Sequence, residues 1–463
     1  TLNDTEASGS DTARVTTIIR EAFLAYADGT VQAPRYKLWN GSTWGEELTG
    51  ETTGASIRFV EAAAAPTRDE YIIVTEGTSG IVKAQVYNGA TDTAGNLVEM
   101  VSAVSDPTQR GFDVAYETSS GDAMVVSCGT TTEAVYRTWD GSNWSATTTL
   151  NLNTTANCEW IKLASDPTSD ELIVVARDAT TGATDYQALV WPGSAPWGNP
   201  MNMGSQVAPS NEGIAVEYEE SGNQAVVVVA NGANNNFTWN AWNGGWAGAS
   251  TLGATIGNDF AGARLVRDVG SDNMAMCYMD IDEDMALASW NGSGWTVQTE
   301  FTADGNDERG RPMACEFETG GSRDGYVMIP YSLNLGLRSD YTYWNGSGYN
   351  PAAALTTIGD VWELRSARTG DGNILVVGYD EPATQYDFTY WDGAAWSTAE
   401  TLESNSITTV TPATIPLDIV ARRYSSFTSG NIVSSSIDFD DGSGPKWEQA
   451  AWNDTTAGGS DIL

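Results

Sequence analysis

The chain of 463 residues contains no histidine, so it lacks the commonest general base and the commonest metal ligand of proteins. Cations are also scarce: 22 Lys and Arg residues stand against 61 Asp and Glu residues, for a formal net charge of −39. Such a charge disfavours nucleic acids and anionic membranes as partners. No apolar run is long enough for a membrane span. The sequence starts at Thr1 without a secretory signal, and we interpret it as a processed chain.

One short aromatic motif recurs throughout the sequence. An aromatic residue precedes Asn-Gly or Asp-Gly, and a second aromatic follows about five residues after the first, as in Trp39-Asn40-Gly41-Ser42-Thr43-Trp44. Asn-Gly and Asp-Gly favour the positive φ of tight hairpins, so each copy predicts two antiparallel strands. We call this unit the aromatic hairpin. Its first aromatics lie at positions 39, 87, 139, 191, 242, 290, 344, 391 and 452.

A period of about fifty residues with one hairpin per period indicates a repeat protein. Before most hairpins lie two further strands, and the second of these is a near-continuous apolar run such as residues 225–229. Runs of this kind are typical of strands buried on both faces. Four strands per unit, here called A to D in chain order, predict an all-β fold, a β-propeller with about eight blades and nine as the alternative. We assign residues 34–463 to this array and residues 1–33 to an N-terminal segment.

The N-terminal segment breaks the repeat because no complete A–B pair precedes its hairpin. Residues 12–26 carry apolar side chains at helical spacing, which predicts a helix, but a strand through residues 23–26 fits as well. The final unit has a predicted A strand at 417–421, a B strand at 432–438 and a C strand that ends at Trp452. We expect the opening segment either to pair with this final unit and close the ring or to connect to a neighbouring subunit. In both cases the apolar contact would come from Val15, Ile18, Ile19 and Phe23.

From about residue 34 onward, the chain resembles large secreted repeat proteins of uncultured microbes. The resemblance rests on the Tyr-x-x-Trp-Asp/Asn-Gly-Ser-x-Trp hairpin and on the turn from Ala164 to Glu171, Ala-Ser-Asp-Pro-Thr-Ser-Asp-Glu. It implies a secreted or cell-surface location and no particular activity.

The four cysteines form two pairs with the same relation to the repeat. Cys128 lies on a predicted B strand and Cys158 on the A strand of the following unit, and Cys277 and Cys315 are related in the same way. This equivalence predicts disulfides 128–158 and 277–315 and an oxidising compartment. Four buried free thiols are the alternative.

Acidic residues cluster where strand B turns into strand C. Alternating carboxylates on a tight turn can supply several oxygens to Ca²⁺, so calcium is a candidate ligand, and a solvated acidic turn is the alternative. The candidate ligands are Asp280, Asp282 and Asp284 in one run and Asp438, Asp440 and Asp441 in another.

Several hairpin turns also contain the N-glycosylation sequon Asn-x-Ser/Thr. Backbone geometry already explains Asn-Gly-Ser at these turns, so glycosylation is a second interpretation of the same residues. The sites are Asn40, Asn143, Asn291 and Asn345.

These observations predict a non-enzymatic, extracellular structural or adhesive propeller that associates with copies of itself in a filament or array. A glycan-binding lectin propeller is the alternative, in which the repeated tryptophans would form sugar platforms rather than pack blade against blade. A polysaccharide-cleaving enzyme comes third, because no singular carboxylate pair stands out from the repeats.

Overall fold

The computed structural model describes residues 20–29, 31–179, 185–205, 212–221, 224–231, 236–253, 260–303, 305, 311–333, 338–355, 358–380, 383–404, 414 and 416–422. These residues form 32 β-strands and one 3₁₀ turn, Gly321–Arg323. None of the helical structure in this part of the chain has the length and apolar character that a bilayer crossing requires.

The strands form eight four-stranded antiparallel sheets, each a blade of a β-propeller. The predicted all-β fold and the preferred blade count are therefore confirmed. The first blade consists of β1 (Ala22–Tyr26), β2 (Arg35–Trp39), β3 (Leu48–Thr49) and, from the end of the described chain, β32 (Leu417–Ala421). The second to fourth blades consist of β4 (Ile57–Ala64), β5 (Glu70–Gly77), β6 (Val82–Asn88) and β7 (Thr93–Val101); β8 (Phe112–Tyr116), β9 (Ala123–Cys128), β10 (Ala134–Trp139) and β11 (Thr148–Leu150); and β12 (Cys158–Ser165), β13 (Glu171–Asp178), β14 (Tyr186–Pro192) and β15 (Gly198–Gly204). The fifth to eighth blades consist of β16 (Ile214–Tyr218), β17 (Ala225–Asn231), β18 (Asn236–Trp242) and β19 (Ser250–Gly253); β20 (Phe260–Arg267), β21 (Asn273–Asp280), β22 (Met285–Asn291) and β23 (Trp295–Val297); β24 (Glu316–Phe317), β25 (Val327–Leu333), β26 (Arg338–Trp344) and β27 (Ala353–Leu355); and β28 (Val361–Arg368), β29 (Ile374–Asp380), β30 (Gln385–Trp391) and β31 (Glu400–Glu403).

The first blade closes the ring by joining the two ends of the described chain. Strand β1 pairs with β32 in antiparallel register, from Ala22 opposite Ala421 to Tyr26 opposite Leu417. This is the pairing that the ring-closing alternative predicts. Phe23 of β1 is fully buried and stacks on Tyr71 of the second blade, with ring centroids 4.6 Å apart.

The helical prediction for residues 12–26 is wrong for residues 22–26, which form a strand. All five side chains of β1 are buried, because the strand lies between β2 and β32 and packs on both faces. The first blade therefore begins before residue 34. Residues 1–19, with Val15, Ile18 and Ile19, and the predicted strands at 432–438 and ending at 452 lie outside the described residues.

The B strands are buried on both faces, as predicted. Every side chain of β5 and β9 is buried, and Val226, Val227 and Val228 of β17 are at most 2% exposed. The D strands are mostly exposed; in β11 and β27, for example, two of three residues are exposed. Contacts between consecutive A strands place these strands innermost, around the central channel, and the aromatic hairpins at the outer edge.

The hairpin turns explain why Asn or Asp precedes Gly in the motif. The Asn40 Oδ1 atom accepts the backbone N–H groups of Ser42 and Thr43 at 3.0 and 2.9 Å, and Gly41 has a φ of 92°. Glycine adopts this φ without strain because it has no Cβ. The same turn recurs at Asp140, Asn291, Asn345 and Asp392.

The structure contains one of the two predicted disulfides. Cys128 of β9 is bonded to Cys158 of β12, which links the third blade to the fourth. The second predicted disulfide is not formed: Cys277 and Cys315 are buried free thiols. The two side chains are nevertheless hydrogen-bonded neighbours, as their equivalence to Cys128 and Cys158 in the repeat predicts. Proximity alone does not oxidise thiols, and the Cys315 thiol lies 4.0 Å from the Arg264 carbonyl oxygen, to which it donates.

Candidate functional site

The first aromatic of each hairpin is a packing residue. Trp290 is 2% exposed, and its indole N–H donates to the Glu219 carboxylate of the preceding blade at 2.6 Å. A buried indole N–H needs such an acceptor, and the carboxylate makes the bond charge-assisted. The same blade-to-blade bond joins Trp191 to Glu117, Trp242 to Glu171 and Trp391 to Glu318. Blade packing, rather than sugar stacking, is thus the role of these tryptophans.

The second aromatic of most hairpins is half-buried, whereas Trp44 of the first hairpin is buried. Trp144 is half-buried against Trp139, with ring centroids 5.3 Å apart, and donates to the Asn96 carbonyl oxygen of the preceding blade at 2.7 Å. Trp246 donates to the Asn199 carbonyl oxygen in the same way, at 2.8 Å. These two indole rings therefore offer partly open aromatic surface at the outer edge of their blades.

The central channel contains a large share of the few cations of the chain. Eight of the 22 Lys and Arg residues lie on the A strands or in the segments that lead into them. They are Arg58, Arg110, Lys162, Arg264, Arg267, Arg311, Arg365 and Arg368. Carboxylates such as Glu61, Asp113 and Glu363 lie on the same strands, so the axis carries charges of both signs.

One register position repeats around the channel. In each blade, the first hairpin aromatic pairs with a residue of strand B. Three residues further along strand B lies a second residue, and the A-strand residue opposite it defines the position. In the fourth blade, for example, Trp191 pairs with Leu172, and Lys162 lies opposite Val175. We call the eight equivalent residues the channel ring. From the second blade to the eighth and then the first, they are Glu61, Asp113, Lys162, Ala215, Arg264, Ala314, Arg365 and Asp418.

The channel ring is electrically divided. Its acidic residues lie in the first, second and third blades, its cations lie in the fourth, sixth and eighth, and alanines separate the cations. Asp113 and Asp418 each accept a backbone N–H from the A strand of the next blade, from Leu163 and Ala62 respectively, both at 2.8 Å. The two aspartates of the acidic side thus join neighbouring blades, and on the basic side a cavity lies beside Ala215.

A buried carboxylate collects cations from three blades. Glu212, whose side chain is 1% exposed, pairs with Arg110 at 2.7 Å, Lys162 at 3.1 Å and Arg311 at 2.5 Å. Burial by itself would raise the pKa of the Glu212 carboxyl, but Arg311, Lys162 and Arg110 together hold that pKa well below its ordinary value. The side chains meet near the axis although their strands belong to the third, fourth, fifth and seventh blades.

Two further carboxylates complete the network. Glu363 pairs with Arg264 and Arg365, both at 2.8 Å, and Glu61 pairs with Arg110 and, at 3.2 Å, with Arg365. Among the described residues, five cations therefore make their closest ion pairs with three carboxylates. Asp418 is farther from Arg365, at 4.0 Å. The network fills one level of the channel with side chains.

Beside this network lies a cavity of about 140 Å³. Burial lowers the pKa of Lys162 to about 8, and burial raises the pKa of Glu316 to about 7. The Ser366 hydroxyl donates to Glu316 Oε1 at 3.2 Å. The cavity is lined by Lys162, Ala215, Val216, Arg264, Leu265, Val266, Cys315, Glu316 and Ser366. Sequence reasoning missed this cluster.

The predicted calcium ligands at 280–284 form a turn that stabilises itself. The Asp280 carboxylate accepts the backbone N–H groups of Asp282 and Asp284 at 2.9 and 3.0 Å. No group of three or more Cys, Asp or Glu side chains in the described ranges is arranged to hold a metal ion. Asp438, Asp440 and Asp441 lie outside those ranges.

The four predicted glycosylation sites lie at hairpin turns. Asn40, Asn143 and Asn291 are exposed and Asn345 is half-buried. The side-chain oxygens of Asn40, Asn291 and Asn345 accept backbone N–H groups within their turns. Glycosylation of these residues stays a prediction.

Comparison with known proteins gives the fold. No family model matches the chain, and no curated protein matches its sequence. Among solved structures, the BP39L lectin from Burkholderia pseudomallei is similar over 74% of this chain and 99% of its own, with 11% identity and a TM-score of 0.53. The dihydro-heme d1 dehydrogenase NirN in complex with DHE is similar over 83% of this chain and 74% of its own, with 9% identity and a TM-score of 0.52. At these identities, the likeness shows the propeller architecture.

Proposed function

We propose that this chain is a non-enzymatic propeller that acts as a structural or adhesive module of an extracellular assembly of like subunits. The observation that carries the proposal is that the aromatic and cationic groups that usually bind ligands instead contact other residues of this chain. The first hairpin tryptophans bond to carboxylates of neighbouring blades, and the channel cations pair with buried carboxylates. The Cys128–Cys158 disulfide supports an oxidising location.

The negative charge of the chain predicts the solution conditions under which such subunits would associate. With 61 carboxylates against 22 cations, the chain has a large excess of negative charge. Acidic surfaces repel one another at low ionic strength, and salt screens the repulsion within about 10 Å at 0.1 M. Assembly should therefore require salt or divalent cations.

Light scattering after size exclusion and electron microscopy test this proposal. We expect monomers at low salt and ordered assemblies in high salt or in millimolar calcium. Magnesium at the same ionic strength is the control, because it separates screening from a specific requirement for calcium. A chain that remains monomeric under all these conditions, and also binds no cell surface, contradicts the proposal. Release of sugars from any polysaccharide would contradict its non-enzymatic part.

A glycan-binding lectin is the second candidate, and the outer-edge grooves favour it. At most hairpins the half-buried second aromatic lies beside the polar turn, and aromatic faces with nearby hydrogen-bonding groups suit sugar rings. A glycan array decides whether any saccharide binds. Replacement of Trp144 by Leu should then lower the number of sites, whereas the matched replacement of the packing residue Trp139 should lower stability. Absence of binding to the array removes this candidate.

A further inference from the structure

The seam between the sixth and seventh blades is rich in sulfur. Two of the four cysteines and three of the ten methionines of the chain lie in one cluster of buried side chains at this seam. Methionine by itself is an ordinary filler of apolar cores, but thiols and thioethers are also the ligands that soft metal ions prefer. The five sulfur-containing residues are Cys277, Met279, Met285, Met313 and Cys315.

Four of these residues form two levels that span the seam. Cys277 and Met279 lie two positions apart on β21, so their side chains share one face of the strand. Across the seam, Met313 and Cys315 lie two positions apart just before β24, and Met313 pairs with Tyr331 of β25. The two thiols are hydrogen-bonded neighbours. Because strands A and B are antiparallel, the two methionines lie on the same side of the thiol pair.

Two cavities adjoin these four residues. Met279 and Met313 both line a void of about 10 Å³, which is about the smallest volume that holds one water molecule. Such a void has room for a single ion and none for an organic ligand. Cys315 lines the cavity of about 140 Å³ beside the channel network, and that cavity is half-open to solvent. An ion can therefore approach the thiols from the channel side.

The two cysteine pairs of the chain differ in oxidation state. Cys128 and Cys158 form a disulfide, whereas Cys277 and Cys315 are thiols although they are adjacent. A location that oxidises the first pair favours oxidation of the second pair as well. The thiolate is both the nucleophile in disulfide formation and the ligand of a metal, so a bound metal ion would keep the second pair from becoming a disulfide.

We propose that the thiolates of Cys277 and Cys315 and the thioethers of Met279 and Met313 bind one soft monovalent metal ion, Cu(I). Each thiol would release its proton to solvent, and the copper would stay in the +1 state, so no electron is transferred. Calcium and magnesium need oxygen ligands, and zinc takes thiolate, imidazole or carboxylate ligands rather than thioethers. The site is independent of the proposed structural role.

The charge beside the site suits this ion. Two thiolates and one Cu(I) ion together carry one negative charge. Arg264 donates through Nε to the Met313 carbonyl oxygen at 3.4 Å, so a guanidinium lies next to the proposed ligands. This positive charge favours the anionic thiolate complex and opposes a divalent ion more than a monovalent one.

Anaerobic titration of the full chain with Cu(I) held by the chromogenic chelator bicinchoninate tests the proposal. No thiol reductant is added, so the 128–158 disulfide stays formed, and we expect the chain to withdraw one equivalent of Cu(I). Even a residue that only supports a metal ligand typically accounts for about 10–100-fold in metal affinity, so Cys315→Ser and Met313→Leu should each weaken binding by at least about tenfold. The matched control Met276→Leu lies on the same strand as Cys277 but packs toward the fifth blade, and it should bind Cu(I) as the wild type does.

Three results overturn the proposal. They are a wild-type chain that withdraws no Cu(I), a 277–315 disulfide in peptide maps of the native protein, and a folded Cys315→Ser or Met313→Leu variant with unchanged affinity. If neither variant folds, X-ray absorption spectroscopy of the copper-loaded wild-type chain decides the question. Sulfur atoms must then be the nearest neighbours of copper, and a shell of oxygen or nitrogen atoms rejects the site.

Discussion

The replacement Glu212→Gln removes one negative charge from the centre of the channel and keeps the size of the side chain. Arg110 retains Glu61 as a partner, but neither Lys162 nor Arg311 forms an ion pair with another carboxylate among the described residues. Removal of one partner from a buried ion pair typically costs about 3–5 kcal/mol. The cost should not exceed this range, because Lys162, with a pKa of about 8, can release its proton when the carboxylate is lost.

The expected change in melting temperature follows from the size of the ring. The compact unit spans residues 19–426, and an unfolding entropy of about 2.1 cal/mol/K per residue gives roughly 0.9 kcal/mol per degree. A loss of about 3–5 kcal/mol therefore lowers the midpoint by about 4–6 °C. Differential scanning calorimetry at neutral pH measures this shift. The exposed Glu46→Gln is the matched control and should change stability by less than about 0.5 kcal/mol.

The pH dependence gives a second test of the same residue. The folded-state pKa of Glu212 is depressed, so its stabilisation is fully present above the ordinary carboxyl pKa and is lost as the pH falls through the folded-state pKa. The difference in melting temperature between the wild type and Glu212→Gln should therefore become smaller only in acid, below about pH 4. A Gln variant that melts within about 1 °C of the wild type at neutral pH would refute the network as a source of stability.

Four further predictions concern other parts of the ring. Trp290→Phe and Glu219→Gln should each cost roughly 1.5–3 kcal/mol, and less than additively together, because they remove two halves of one charge-assisted hydrogen bond; additive losses in denaturant titrations would contradict this. Burial and a neighbouring carboxyl raise the pKa of Asp380 to about 6, so its ionisation opposes folding as the pH rises through that value; Asp380→Asn should raise the melting temperature at about pH 8 and have little effect at about pH 4. Val227→Asp places a charge in a strand buried on both faces and should cost several kcal/mol, visible as lost tryptophan emission at its native wavelength. Reduction of the 128–158 disulfide should lower stability by about 3–4 kcal/mol, and non-reducing peptide mapping of the unreduced chain should recover that linkage.

The sequence predicts the blades because their determinants are local. Asn40 and Gly41 favour a turn by their own local chemistry, and the β-branched run around Val227 favours a buried strand. Strand β1 was ambiguous for a related reason: Ala22, Phe23 and Tyr26 satisfy the helical period, and tertiary pairing with β32 decides against it.

The channel network could not be predicted in the same way. Glu212 and Arg311 lie outside the strands, and they meet across the axis from the fifth and seventh blades, so no local pattern connects them. A weaker signal existed in a charged residue with an apolar residue on each side in an A strand, as at Lys162 between Ile161 and Leu163. Alignment of the repeats on that position would have identified the charged members of the channel ring, although not their partners.

The antiparallel closure of the first blade has a mechanical consequence. The chain enters β1 and leaves β32 at the same end of the pair, where the Arg422 N–H donates to the Glu21 carbonyl oxygen at 2.8 Å. Tension applied through both chain ends would load the hydrogen bonds between β1 and β32 one after another, as in unzipping, instead of loading all of them at once in shear. A subunit tethered by one end alone would leave this seam unloaded. The direction of attachment therefore sets the force that the ring withstands, with no change in its equilibrium stability.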